Sequence, residues 1–276
     1  MRININTSAA TASRSLGVTT ANLGKNVERL STGYRINKAG DDAAGLVISN
    51  RLRAQVSGLR QAMRNAQDGV SVLQTAESSL VEVSNMLQRM RDLTVQAANV
   101  GTYDTAARSA AQAEVTALRS EIDRVGSATK FGNIALLDGS VASLTFQVGP
   151  GTGSGDTIGV ALLTVSASAL TLGSIDLASS TYASITGALT TLDDAISAVS
   201  NTRSSIGALQ NRFDSLVSNL SVTTENLAAS ESRIRDTDMA AEMVEFTKNQ
   251  VLQQAGTAML AQANQIPQSI LSLLRG

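Results

Sequence analysis

Residues 185–234 read ITGALTTLDDAISAVSNTRSSIGALQNRFDSLVSNLSVTTENLAASESRI. Stepping by seven from Ile185 gives Leu192, Val199, Ile206, Phe213, Leu220, Leu227 and Ile234, all large and apolar. Leu189, Ile196, Leu209, Leu216 and Val217 broaden the stripe. A seven-residue apolar repeat of this length predicts one long helix with a coiled-coil-type seam. Such a seam needs a partner helix.

The partner lies in the other half of the chain. Leu52, Leu59, Ala66, Leu73, Leu80 and Leu87 also step by seven, and no proline occurs from Gly45 to Asn99. A second series, Ile48, Gln55, Ala62, Gly69, Ala76, Val83, Met90 and Ala97, carries small residues that let another helix approach closely. The seam expected from these series runs through Leu73, Leu80 and Leu87 on one helix and Ile206, Phe213 and Leu220 on the other. A shorter helix is expected from about Asp104 to Val125, after a turn at NVGTYD.

The ends repeat the pattern more weakly. Leu16, Leu23 and Leu30 form one heptad series; Leu252, Met259, Ile266 and Leu273 form another. Both are flanked by Ala, Ser, Thr, Asn and Gln, so each helix is marginal alone. Pro267 is expected to kink or fray the last turns. The expected fold is mainly α, with long antiparallel coiled-coil-type helices and the two termini paired at one end.

Two stretches interrupt the helices. RLSTGYRINKAGDDAAGL (29–46) holds three glycines and an Asp pair. It predicts a helix stop at Gly33 or Gly40 and a restart capped by Asp41 or Asp42. Its counterpart on the return leg is RIRDTDMA (233–240). Between Asp138 and Ala183 the helical period disappears. SLTFQVG alternates, PGTGSGD turns and TIGVALL resumes, the pattern of a β-hairpin with a Gly-rich loop. Residues 163–184 fit strand or loop equally well. The segments expected are 1–40 and 237–276 for the terminal helices, 41–139 and 185–236 for the longer helices, and 140–184 for the hairpin region.

Composition excludes much chemistry. The 276 residues contain no Cys and no His, which removes disulfides, thiolate catalysis, a His general base and His or Cys metal ligands. The absence of Cys also suits a chain that travels unfolded through oxidising surroundings. With 22 Lys+Arg against 23 Asp+Glu and 3% aromatic residues, no electrostatic or stacking footprint for nucleic acid exists. No run reaches the ~18 apolar residues of a membrane span. MRININTSAATASRS lacks the apolar core of a secretory signal, so export is expected by another route.

The remaining polar groups do not assemble a catalytic site. GDDAAG lacks the Gly-Lys-Ser/Thr of a phosphate loop. Asp193 and Asp194 point about 100° apart on a helix. Glu242 and Glu245 share a face, read as solvated rather than catalytic. Arg233 with Asp236, and Arg235 with Asp238, have the spacing of i,i+3 pairs. Arg53, Arg60 and Arg64 suit intermolecular ion pairs or plain solvation. No enzyme activity and no cofactor are expected.

LSTGYRINKAGDDAAGLVIS (30–49), LQRMRDLTVQAAN (87–99), SRIRDTDMAAEM (232–243) and QANQIPQSILSLL (262–274) resemble, in order, the motifs of bacterial flagellins. The resemblance covers roughly 1–138 and 185–276. It implies a structural subunit that polymerises with itself into the extracellular flagellar filament. Leu16, Leu23, Leu30, Leu252, Met259, Ile266 and Leu273 would then belong to the polymerising terminal helices. It further implies export by the flagellar type III apparatus with an export chaperone, and contact with the filament cap and hook-associated proteins. In many flagellins the LQRxRxL segment and a Glu on the next helix are read by the flagellin-sensing Toll-like receptor of animals. The matching positions here are Arg89, Leu93, Gln96 and Glu114, which serve subunit packing on the plainer reading. A hook–filament junction protein and a soluble coiled-coil signalling rod are the alternatives.

Overall fold

The computed structural model describes residues 6–178 and 182–275, with side chains described as far as Gln265. Five helices carry the chain: α1 Thr7–Thr32, α2 Ala43–Ala98, α3 Thr105–Ala128, α4 Tyr182–Arg235 and α5 Met239–Arg275. Four short strands lie between α3 and α4: β1 Lys130–Phe131, β2 Ile134–Ala135, β3 Ser143–Gln147 and β4 Thr157–Ala161. The chain divides into two compact units. One comprises 1–54 and 226–276, and the other 55–225.

In the 55–225 unit, the heptad positions expected to be buried are the core. Leu73, Leu80, Leu87, Ile206 and Phe213 are sealed from solvent, and Leu220 is buried. The second α2 series contributes Ala62, Ala76, Val83, Met90 and Ala97 to the interior. Arg203 pairs with Glu77 at 3.0 Å and Arg91 with Asp193 at 2.7 Å, so α2 and α4 run antiparallel here. α3 starts where Asp104 Oδ1 accepts the Ala107 N–H at 2.7 Å, a side-chain N-cap. Its Ala111, Val115 and Ile122 join the same core.

The hairpin expected from SLTFQVG and TIGVALL is present. β3 and β4 pair antiparallel from Ser143↔Ala161 to Gln147↔Thr157. Alternation sends Leu144, Phe146, Ile158 and Val160 toward the core. A second, very short hairpin, β1–β2, turns at Gly132, whose φ of 59° favours a residue without a Cβ.

Residues 163–178 are neither strand nor solvated loop. Val165, Ala167, Leu170, Leu172, Ile175 and Leu177 are all buried. α3 supplies the polar partners of this strap: Asp123 Oδ1 accepts the Ala167 N–H and Gln112 Oε1 accepts the Leu177 N–H, both at 2.7 Å. The part of the 163–184 segment at 179–181 lies outside the described residues.

In the other unit, α1 and α5 form an antiparallel pair. Asn6 Nδ2 donates to the Ala263 carbonyl, Leu16 touches Gly256, and Arg29 reaches Glu242. Asn6 is also the N-cap of α1, with its Oδ1 accepting the Ala9 N–H. α5 is helical through Pro267, so that residue does not end it.

Candidate functional site

Of the stop and restart positions weighed in the sequence, the chain uses Gly33 and Asp42. α1 ends at Gly33, which takes φ 74° and donates its N–H to the Arg29 carbonyl. α2 begins after Asp42, whose Oδ1 accepts the Gly45 N–H at 2.8 Å. Asp41 instead closes the loop: its Oδ2 accepts the N–H groups of Lys38 and Asn37. Those two donors hold its carboxyl below the ordinary aspartate range.

The return leg meets this loop as expected. Tyr34 and Asp236 form an antiparallel bridge, with the Arg35 N–H donating to the Arg235 carbonyl and the Thr237 N–H to the Gly33 carbonyl. Arg235 stacks over the Tyr34 ring at 4.5 Å. The i,i+3 ion pairs read from this segment do not form. Arg233 donates to Ser230 Oγ, and Asp238 caps α5 by accepting from Ala240 and Ala241. Arg53 pairs with Glu231 of its own chain at 3.0 Å.

The α1–α5 seam differs from the sequence reading. On α1 the half-buried positions include Leu16, Leu23 and Leu30, as the heptad requires. On α5 the stripe turned toward α1 runs through Glu242, Phe246, Asn249, Gln253, Gly256, Leu260 and Ala263. Leu252 and Met259 lie off it, 47% and 65% exposed. The heptad read through them is offset from the stripe that faces α1, which mixes the polar Glu242, Asn249 and Gln253 with Phe246, Leu260 and Ala263. The side chains of Ile266 and Leu273 lie outside the described residues. Glu242 is likewise not on a solvated face: it is buried beside Arg29 at 3.6 Å, while Glu245 is exposed and pairs with Lys248.

The exposed surface of α5 carries apolar side chains among polar ones such as Thr247 and Lys248. Met243, Val244, Val251, Leu252 and Met259 are exposed, and Met243, Val244, Val251 and Leu252 border an open groove of about 540 Å³. Val18 and Val27 on α1, and Val47 and Ile48 at the start of α2, are exposed as well. Apolar surface concentrated on long helices marks a protein–protein contact. Among the described residues no metal-binding cluster occurs, and no helix is long and apolar enough to cross a membrane.

Comparison with known proteins decides the family. Residues 3–142 match the bacterial flagellin N-terminal helical region, and 189–274 match the bacterial flagellin C-terminal helical region. The chain belongs to the bacterial flagellins. It is 45% identical over 291 residues to the flagellar filament 33 kDa core protein of Treponema phagedenis. It is 43% identical over 304 residues to the flagellin of Bacillus subtilis (strain 168), and both alignments cover all of each chain. A putative flagellar hook-associated protein from Vibrio parahaemolyticus has a similar fold. Its TM-score is 0.60 at 18% identity, covering 71% of this chain and all of that one. This flagellin is therefore a structural subunit of a flagellar filament and not an enzyme. Residues 143–188, which neither helical family region covers, hold the β3–β4 hairpin and the strap.

The positions matching the receptor-read segment are only partly accessible. Arg89 Nε donates to Glu114 Oε1 at 2.7 Å, and both side chains are exposed. Gln96 is exposed too, but Leu93, expected on the same face, is only 3% exposed and packs in the core. Sequence spacing put the three on one side of α2. The edge of that side turns inward at Leu93.

Proposed function

We propose that this subunit leaves the cell unfolded through the flagellar type III apparatus, escorted by an export chaperone, and joins the distal filament end beneath the cap. In this reading residues 1–40 and 237–276 form the inner, terminal packing of the polymer. Segments 41–139, 140–184 and 185–236 form the rod domain around it. Hook-associated proteins meet the same terminal helices at the filament base. The observation that supports the reading is the outward stripe of α5. Its exposed Met, Val and Leu side chains would lose their contact with water only when other copies cover them. Helices this weak alone gain their order from that burial.

Val244→Asp combined with Met259→Asp tests it. Both positions are exposed in one copy, so the monomer should unfold at the parent temperature. Seeded with fragments of parent filaments, the variant should fail to elongate under electron microscopy. Filaments of parental length and stability would remove α5 from the assembly face.

We further propose that the exposed Arg89–Glu114 pair, with Gln96, is the part of the surface available to the animal Toll-like receptor on free subunits.

A further inference from the structure

Strand β4 presents an open edge. It pairs with β3 alone, and among the described residues no strand covers its other side. The ladder bonds at the two ends run from the Val148 N–H to the Asp156 carbonyl and from the Leu162 N–H to the Ala142 carbonyl. Bonding alternates along an antiparallel pair. Ile158 and Val160 therefore turn their N–H and C=O groups toward β3, while Thr157, Gly159 and Ala161 turn theirs away. The outer side of β3 is engaged, because Asn65 Nδ2 on α2 donates to the Gln147 carbonyl at 2.9 Å. The outer side of β4 is open: Gly159 and Ala161 are exposed, and a Cβ on Gly159 would meet nothing within 4 Å.

Proteins blunt such edges with charge, proline or a bulge. Thr157–Ala161 reads TIGVA: it has no charged residue and no proline, and its register with β3 runs without a break. The residues that bond outward are also spaced symmetrically about Gly159. Against a second β4 running the other way, Gly159 faces Gly159 and Thr157 faces Ala161, each pair placed to exchange N–H···O bonds. Side chains do not interfere. Ile158 and Val160 are buried in their own subunit, and Gly159 and Ala161 are small. With a formal net charge of −1 per chain, little long-range repulsion opposes the approach of two copies.

We propose that β4 pairs antiparallel with β4 of a second copy, about a two-fold axis at Gly159, and so joins subunits of two filaments lying side by side. Five residues on each strand bury far less than the ~1,200 Å² of a stable interface, so free subunits do not dimerise through this edge. Subunits within one helical filament follow one another head to tail, with no two-fold between neighbours. The two-fold pairing is therefore a contact between filaments. There each filament presents the edge once per subunit, and contacts too weak singly hold when made together.

Assembled filaments of the full chain, viewed by electron microscopy and pelleted at low speed, test it. Parent filaments should lie side by side. Gly159→Lys puts like charges across the axis on residues whose Cα atoms are about 5.5 Å apart. Gly159→Pro deletes the outward N–H and leaves the ladder to β3 intact. Each variant should form filaments of parental length and cut the paired fraction by at least about tenfold. Gly159→Lys filaments mixed with Gly159→Glu filaments should pair again, because opposite charges then meet. Lys and Glu at the exposed Gly155 are the control and should leave pairing at the parental level, mixed or separate. Parent filaments that stay single, Gly159→Pro filaments that pair as the parent does, or Gly155 changes that act like those at Gly159 would each overturn the proposal. Variants that form no filaments would overturn it as well, since the edge would then be used within the filament.

Discussion

The ring of Phe146, on β3, meets the ring of Phe213, on α4, edge to face: the centroids are 5.7 Å apart and the planes lie at 86°. Gly69 of α2 lies beneath, where a Cβ would come within 3.1 Å of the Phe213 ring. Hairpin, α2 and α4 thus converge on one aromatic side chain. Phe213→Ala removes its contacts with both neighbours. It should lower stability by about 3–5 kcal/mol, the range for a fully buried Phe. Equilibrium denaturation checks this, and a midpoint equal to the parent's would mean that the cavity collapses without loss.

Gly126 lies where α3 passes under the strap. A Cβ there would overlap the Val165 carbonyl oxygen. In an open helix, Gly→Ala gains about 1 kcal/mol. Here the backbone of the strap must move, at about 1–3 kcal/mol for an overpacked site. Gly126→Ala should therefore be neutral to destabilising, with faster exchange of the Ala167 amide, whose N–H is held by Asp123. A more stable protein with an unchanged Ala167 amide would refute the tight contact.

Asp41 ties the 33–42 loop through two backbone N–H groups. Its folded pKa is lowered chiefly by the Lys38 N–H and then by that of Asn37. The charged carboxylate is the form that the fold favours, so its contribution is present above the unfolded value of about 3.9 and fades as pH falls through the lower folded value. NMR titration should place the Asp41 midpoint below that of an unstructured aspartate. In Asp41→Asn the loop amides should lose the part of their acid sensitivity that this group supplies.

Arg89 and Glu114 are paired before any receptor arrives. Both side chains are substantially exposed, so Arg89→Ala should leave thermal stability close to the parent's. If Arg89 is the binding hot spot, the same change should weaken monomer binding to the receptor by about thirtyfold or more. Leu93→Ala should instead act through stability, because its side chain is in the core. Titration calorimetry beside thermal melts separates the two outcomes.

How far the sequence spoke depended on how regular the burial is. α4 was legible because its apolar repeat is long and unbroken, and six of its eight positions are buried. The Gly33–Asp42 joint was legible because capping is local chemistry. The strap was not, because its apolar residues follow no helical or strand period. Their burial depends on Gln112 and Asp123, some 40 to 65 residues away in sequence. β1–β2, with two residues in each strand, is too short to show alternation. The α5 seam was misplaced for a different reason. A search for apolar repeats follows Leu252 and Met259, which are exposed, and passes over Asn249 and Glu242, which face the helix of the same chain.

The 143–188 stretch contains two regions with opposite tolerance for added sequence. At the hairpin tip, residues 151–155 are all exposed, and a Cβ on Gly155 would meet nothing within 4 Å. In the strap, six side chains enter the core within thirteen residues. A foreign peptide spliced after Gly155 would project into solvent while β3 and β4 keep their register. The same peptide spliced after Ala167 would pull apart the packing over α3. For displaying an epitope on this subunit, the glycine-rich tip is the usable graft point.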